Sequence, residues 1–297
     1  KTNHQKRTLP FSEGFSVSRA QLIRYLTKQA ESLGVNLVSK KITPKDLISI
    51  KKEFDLVIAS DGINSIARDM FKSELGAKAH TAKLKFSWFL NETEQERTEA
   101  CFYAFNSDEG VTLLTSYPLT KHRQVVVIEM TNNCLESGTF KDKTPTEAIP
   151  YLNELLSRNG DIINLEPANL PWYTFKMNTS DKLYHENLTL IGDAAYSFHY
   201  SAGQGVTTSF SMAYTLAQCL LKNDSIALSL AHYNHSIRML LAEPSRKSLR
   251  HMNWFEKIDE HFQNTDKSEW LDLFLKKDQY LGNSVSANNK CNTGVCR

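Results

Sequence analysis

Long apolar runs are missing from this 297-residue chain. None approaches the ~18 residues that mark a membrane span. The opening KTNHQKRTLP is polar and leads into no apolar stretch, so a secretory leader is not expected. Charge of one sign is lacking too: 35 Lys and Arg against 33 Asp and Glu leave a formal charge of +2, and no basic block stands out. Nucleic acid and membrane are therefore not expected partners. Cysteine is scarce and scattered, with five residues, which excludes a disulfide scaffold. Cys101, Cys134 and Cys219 read as free thiols in apolar or mixed segments. Cys291 and Cys296 have no histidine or second cysteine pair beside them, so the tail SANNKCNTGVCR reads as loosely ordered rather than as a metal site. A reducing, cytoplasmic compartment is the expectation. Internal repeats and low-complexity tracts are absent, and two-fifths of the residues are apolar (41%), enough for a sizeable core.

Within that frame two strand styles alternate. SVSRAQLIRYLTKQAESLGVNLV predicts a helix and then a strand, with Leu22, Leu26, Ala30 and Leu33 on one face, Ser18 as N-cap and Gly34 as the stop. FDLVIASDG is a short apolar run of the kind buried on both faces of a parallel sheet, and NSIARDMFKSEL then reads as helix capped by Asn64 or Ser65. Four runs follow between residues 82 and 131 (KLKFSWFL, EACFYAFN, GVTLLTSYP and RQVVVIEM), separated by turn signals, and they predict an antiparallel sheet. A helix at 145–158 and the strand PWYTFKM come next. LTLIGD returns to the buried style, and two long helices close the pattern, GQGVTTSFSMAYTLAQCLL and roughly 226–263.

Both buried runs end in an acid followed by small residues: Asp61 with Gly62, and Asp193 with Ala194 and Ala195. In open α/β sheets ligands sit at the carboxyl ends of strands, where a carboxylate can hold a polyol hydroxyl. Gly203, Gln204 and Gly205 then open a helix whose free N–H groups and positive dipole end suit an electron-rich acceptor. Either feature alone is more often an ordinary turn or loop. Their order, strand context and separation make the pair more specific.

These segments resemble FAD-dependent aromatic hydroxylases of the para-hydroxybenzoate hydroxylase type. FDLVIASDGINSIAR is similar to that family's Asp-Gly fingerprint, LTLIGDAAYSFHYSAGQG to its Gly-Asp fingerprint, and SVSRAQLIRYLTKQAESLGV to a helix that begins with an FAD-contacting arginine. The HY, FSWF, TSYP, VVVIEM and HMNWFEKIDEH segments look like the salicylyl-CoA 5-hydroxylase and violacein-pathway subgroup. The resemblance implies that Asp193 holds the ribityl or ribose part of FAD, that Gly203, Gln204 and Gly205 face the flavin, and that Arg19 contacts the cofactor. Asp61 and Gly62 would line its pyrophosphate side, and Arg68 belongs either to that fingerprint or to a solvated helix face. His199 and Tyr200 are the implied catalytic residues at the flavin front, although a lone histidine is usually structural. Trp88 and Tyr117 face either the substrate or the core. Tyr196 and Thr115 stand where relatives carry histidine.

The activity implied is hydroxylation of a small aromatic substrate, with a CoA thioester or an indole-type compound among the candidates. It uses NADPH or NADH and O2 and proceeds through a flavin C4a-hydroperoxide. No strand–GxGxxG–helix precedes Phe11, so the chain reads as a fragment of a longer enzyme, inactive alone, rather than as a non-catalytic remnant. A halogenase or reductase of the same fold is the other alternative. The expected fold is α/β (α+β): a Rossmann-like FAD-binding sheet lacking its first strand, interleaved with an antiparallel-sheet substrate domain. The expected divisions are 1–80 and 179–222 for FAD binding, 81–178 for substrate, 223–280 for C-terminal helices and 281–297 for the tail.

Overall fold

The computed structural model describes residues 3–9, 17–94, 96, 99–136, 138–157, 164–167, 170–266 and 269–279, the first of these segments as backbone only. The tail, with Cys291 and Cys296, lies outside the described residues.

In chain order the elements are β1 (Asn3–Leu9), α1 (Arg19–Ser32), α2 (Pro44–Glu53), β2 (Val57–Ala59), α3 (Ile66–Met70) and α4 (Lys72–Leu75). The middle of the chain holds β3 (Ala77–Glu92), β4 (Ala100–Ser107), β5 (Gly110–Thr120), β6 (Arg123–Met130), α5 (Asn132–Glu136) and α6 (Pro145–Ser157). Then come β7 (Leu165–Glu166), β8 (Tyr173–Ser180), β9 (Tyr184–His185) and β10 (Leu188–Leu190). Four helices follow: α7 (Gly205–Lys222), α8 (Ile226–Glu256), α9 (Ile258–Gln263) and α10 (Trp270–Leu275).

Two sheets organise the chain. The larger is antiparallel, with strand order β1-β4-β5-β6-β3-β7 and β8 also paired to β3. The four runs expected between 82 and 131 are its centre. Period-two alternation divides its faces. Phe89, Tyr103, Phe105, Leu114, Val126 and Ile128 pack under α5 and α6. On the opposite face Leu84, Phe102, Ala104 and Leu113 meet Trp254, Phe255, Ile258 and Phe262 at the end of α8 and in α9. The smaller sheet runs β2-β10-β9, with β2 parallel to β10. Leu188 and Leu190 are fully buried there, against Met212 and Leu216 of α7 and Tyr233 and Ile237 of α8.

Several expectations change. No strand forms after α1, and Val35, Leu37 and Val38 are exposed, because no neighbouring strand is there to take up their backbone groups. Helix α1 has its Ser18–Gln21 capping box, yet no side chain on it is buried. The expected helix 226–263 breaks at Lys257 into α8 and α9. Strand β1, paired to β4, gave no sign in the sequence.

Candidate functional site

Parallel pairing of β2 with β10 sets the site. The register Val57–Leu188, Ile58–Thr189 and Ala59–Leu190 brings both carboxyl ends to one edge, and Ile191 N–H donates to the Ala59 carbonyl at 3.0 Å. Asp61 and Asp193 leave the sheet side by side. Between them lies Arg68, which is buried, not solvated. Its guanidinium donates to the carbonyls of Ile63 (2.8 Å), Ala194 (3.3 Å) and Asp193 (3.5 Å), tying the two strand ends into one unit. The forked, permanently charged donor suits that task.

The acids differ. Asp61 Oδ2 accepts from Ile66 N–H at 2.7 Å and Ala67 N–H at 3.4 Å, so its carboxylate caps α3. Asp193 sits in the turn Gly192–Ala194 and its carboxylate takes no hydrogen bond from the described residues. Partial burial raises the Asp193 carboxyl above its ordinary range, and the Arg19 charge at the start of α1 pulls it back. Arg19 and Asp193 therefore share one neighbourhood although 174 positions separate them in sequence, counting from 19 to 193.

Ahead of Asp193 the chain turns through Tyr200–Ala202 and reaches Gly203 at φ 64, a conformation that favours glycine. Gln204 stands at the N-cap of α7 and makes no side-chain cap, so the first N–H groups of α7 have no side-chain acceptor. A Cβ at Gly62, Gly203 or Gly205 would meet nothing within 4 Å. Open space thus lies before the helix terminus and beside the end of β2, whereas a Cβ at Gly192, after β10, would meet Ser209 Oγ at 3.1 Å. Serine 197 fastens the loop to β8: its hydroxyl donates to the Lys176 carbonyl and accepts from Asn178 N–H, both at 2.8 Å.

His199 and Tyr200 fill the corner between that loop and the large sheet. His199 is 2% exposed, and its backbone N–H donates to Ser248 Oγ at 2.6 Å. Its Nδ1 pairs with Ser201 Oγ at 2.7 Å, and Ser201 Oγ pairs with His251 Nδ1 at 2.8 Å. Burial, then the neighbouring His251 and Lys277, push the His199 imidazole down to about 3, so it is neutral at ordinary pH. The Tyr200 ring lies 4.5 Å from Phe86 and 4.4 Å from the His199 ring.

Trp88 and Tyr117 both stand on the sheet face that carries Phe86, Val125 and Val127. Trp88 meets Phe86 edge-on at 5.0 Å and Tyr173 at 5.5 Å. These rings form a partly exposed aromatic wall beside Tyr200, and Tyr117 borders it at 36% exposure. The structure thus brings Arg19, Asp193, Gly203–Gly205, His199, Tyr200 and the wall to one side of the chain. Asp61 joins them through its helix cap. A separate cleft of about 300 Å³, lined by Phe105, Thr112, Phe140 and Tyr151, lies on the opposite face of the sheet and takes no part. Sequence reasoning missed Glu129, His251 and Ser201. The acid within VVVIEM was a visible signal; the two others meet only through the folding of α8.

The fold and site define a flavin-site protein. The chain belongs to the FAD binding domain family, whose profile matches residues 50–225. It is 25% identical over 262 residues to salicyloyl-CoA 5-hydroxylase of a Streptomyces species, covering 84% of this chain and 50% of that protein. With protodeoxyviolaceinate monooxygenase of Chromobacterium violaceum it shares 20% identity, over 75% of this chain and 59% of the relative. The chain thus spans about half the length of the first of these relatives. A solved variant of 2-methyl-3-hydroxypyridine-5-carboxylic acid oxygenase matches the fold with a TM-score of 0.58 at 16% identity, over 84% of this chain and 70% of that one. Among the described residues no helix is long and apolar enough to cross a membrane, and no cluster of His, Cys, Asp and Glu could hold a metal.

Proposed function

We propose that this chain works within an FAD-dependent monooxygenase that hydroxylates a small aromatic substrate with NAD(P)H and O2. One observation carries the reading. Two parallel strands deliver Asp61 and Asp193 to one edge, and the uncapped end of α7 and an aromatic wall lie on the same side. The names of the relatives, a salicyloyl-CoA hydroxylase and an anthranilyl-carrier-protein monooxygenase, support an aromatic substrate.

The residues fit the cofactor. Open space at Gly203 and Gly205 admits a flat ring against the helix terminus, and the Asp193 carboxylate is available for ribityl hydroxyls. Arg19 adds a positive charge beside it. When bound, FAD supplies electron transfer from NAD(P)H and activation of O2. The protein's share is placement and exclusion of water. Trp88, Tyr173 and Tyr200 orient the aromatic ring by stacking. His199, neutral and held by Ser201 and Ser248, fixes the Tyr200 turn rather than carrying charge into the site. Cys134 and Cys219, buried or half-buried thiols outside any disulfide among the described residues, support a reducing, cytoplasmic setting.

The test is made on protein purified from its natural source. A flavin absorption spectrum is expected, with NAD(P)H oxidation stimulated by one aromatic compound and matched by hydroxylated product. Protein without flavin would support a non-catalytic remnant instead, and product formed only with halide would support a halogenase.

A further inference from the structure

Ser248, His251, Met252 and Phe255 recur at helical spacing along the second half of α8, and all four are buried. The two polar members spend their hydrogen bonds on the turn His199–Gly203 that leads into α7. His199 N–H donates to Ser248 Oγ at 2.6 Å, and Ser248 donates in turn to Met177 Sδ of β8 at 3.5 Å. His251 Nδ1 meets Ser201 Oγ at 2.8 Å, and Ser201 Oγ meets His199 Nδ1 at 2.7 Å. Phe255 stacks on the His199 ring with centroids 4.9 Å apart.

The turn is itself closed by two backbone bonds. Ala202 N–H donates to the His199 carbonyl at 2.9 Å, and Gly203 N–H to the Tyr200 carbonyl at 3.0 Å. Any displacement of His199 or Ser201 is thus passed on to Gly203 and the open end of α7. The same helix also backs the aromatic wall, where Leu249 and Met252 pack with Phe86, Trp88, Tyr173 and Tyr200. One rigid element therefore touches both halves of the site.

We propose that Ser248 and His251 are positioning residues, which fix the turn His199–Gly203 and so hold a flavin before α7 at a set place relative to the aromatic wall. The proposal rests on the flavin site put forward above and adds residues that act only through the turn.

Backbone bonds alone leave a short turn free to open locally, whereas buried side-chain anchors raise the free energy of opening. Here the anchors are linked. Ser201 has a single hydroxyl proton, so at least one of the two imidazoles donates to it from Nδ1. Loss of His251 leaves Ser201 and His199 with one bond between them where there were two along the chain. Loss of the Ser248 hydroxyl leaves a buried backbone N–H without its acceptor, which is unfavourable in an apolar corner.

Hydrogen exchange and the visible circular dichroism of bound FAD test the proposal on the natural protein. His251→Leu removes the bond to Ser201, and Ser248→Ala removes the bond to His199. In each, amides of residues 199–208 should exchange about fivefold faster, the effect of one buried hydrogen bond, and the flavin bands should change shape or amplitude. Ser248→Ala, the smaller change, gives the same two readouts if His251→Leu does not fold. His251→Asn should return both readouts to those of the parent, because asparagine places Nδ2 or Oδ1 near the position of Nδ1 and takes either role. Ser229→Ala is the structural control: it removes buried bonds to the Cys219 and Ser225 carbonyls at the far end of α8, and should lower the melting point while leaving both readouts unchanged. Unchanged exchange in Ser248→Ala, no rescue by His251→Asn, or faster exchange with an unaltered flavin spectrum overturns the proposal. Natural protein that binds no FAD, with its turn loosened in the variants, overturns the flavin reading and not the anchoring by α8.

Discussion

Replacing Glu129 with glutamine should make the protein more stable in mild alkali and leave it unchanged in acid. Burial holds the folded carboxyl at about 8, against 4.5 in the ordinary state. Below both values the group is protonated folded or unfolded and contributes nothing. Between them the unfolded chain has lost a proton that the folded chain keeps, so stability falls as pH rises, by ~1.4 kcal/mol per pH unit. The accumulated loss is about 3 kcal/mol at pH 7 and about 5 kcal/mol at pH 8 and above. His199 works in the opposite direction. Its imidazole is held at about 3 rather than 6.5, so the unfolded chain takes up a proton that the folded chain refuses, and stability falls as pH drops below 6.5. From pH 4.5 to 6.5 the two slopes oppose each other and their joint contribution is flat. Above 6.5 only the Glu129 slope remains, down to a floor near pH 8. Glutamine keeps the shape and cannot ionise. Thermal melts at pH 4.5 and 8.5 are the assay. Glu129→Gln should raise Tm by roughly 5–10 °C at the higher pH, on the basis of ~2 °C per kcal/mol for a chain of this size, and by little at the lower. A variant whose melting point follows the parent's at both pH values would refute a buried, protonated Glu129.

Other substitutions separate holding the fold from holding the ligand. Arg68→Ala removes the buried donor shared by the Ile63, Asp193 and Ala194 carbonyls, and should lower stability by about 3 kcal/mol in denaturant titration. Gly205→Ala places a Cβ where nothing lies within 4 Å, so the melting point should hold or rise slightly while FAD affinity falls at least tenfold in fluorescence titration. Trp88→Ala should weaken a nitroaromatic ligand by about 1–2 kcal/mol without loss of FAD, measured by calorimetry.

Parts of this site were legible because local chemistry alone determines them. LVIAS and LTLIG read as strands buried on both faces, and β2 and β10 are where they fell; β10 is buried throughout, but Ile58 of β2 is 44% exposed, so that strand is covered on one face only. Alternation in KLKFSWFL and RQVVVIEM gave the antiparallel sheet, and it also placed Trp88 with Val125 and Val127. Ser18 and Gln21 announced the start of α1. What stayed hidden depends on distant partners. VNLV has the composition of a strand but no partner strand, and its residues lie exposed. Arg68 reads as an ordinary helix position until β2 and β10 align, after which the carbonyls it serves are 125 and 126 residues away. His251 meets Ser201 across 50 residues, and no periodicity encodes that contact. Asp61 was visible as a conspicuous acid, but its proximity to Ile66 N–H makes it a helix cap as well as a candidate ligand.

The central claim is that the paired ends of β2 and β10, with the open end of α7, form a flavin site in which Asp193 is the hydroxyl-binding acid. Titration of FAD into the natural protein and its Asp193→Ala variant, each first stripped of cofactor and followed by flavin fluorescence, tests it most directly. The variant should fold with an unchanged circular dichroism spectrum and bind FAD more weakly by about 1–3 kcal/mol, or roughly 5- to 150-fold, from lost charge-assisted hydrogen bonds. Equal FAD affinity in the two proteins would contradict the account.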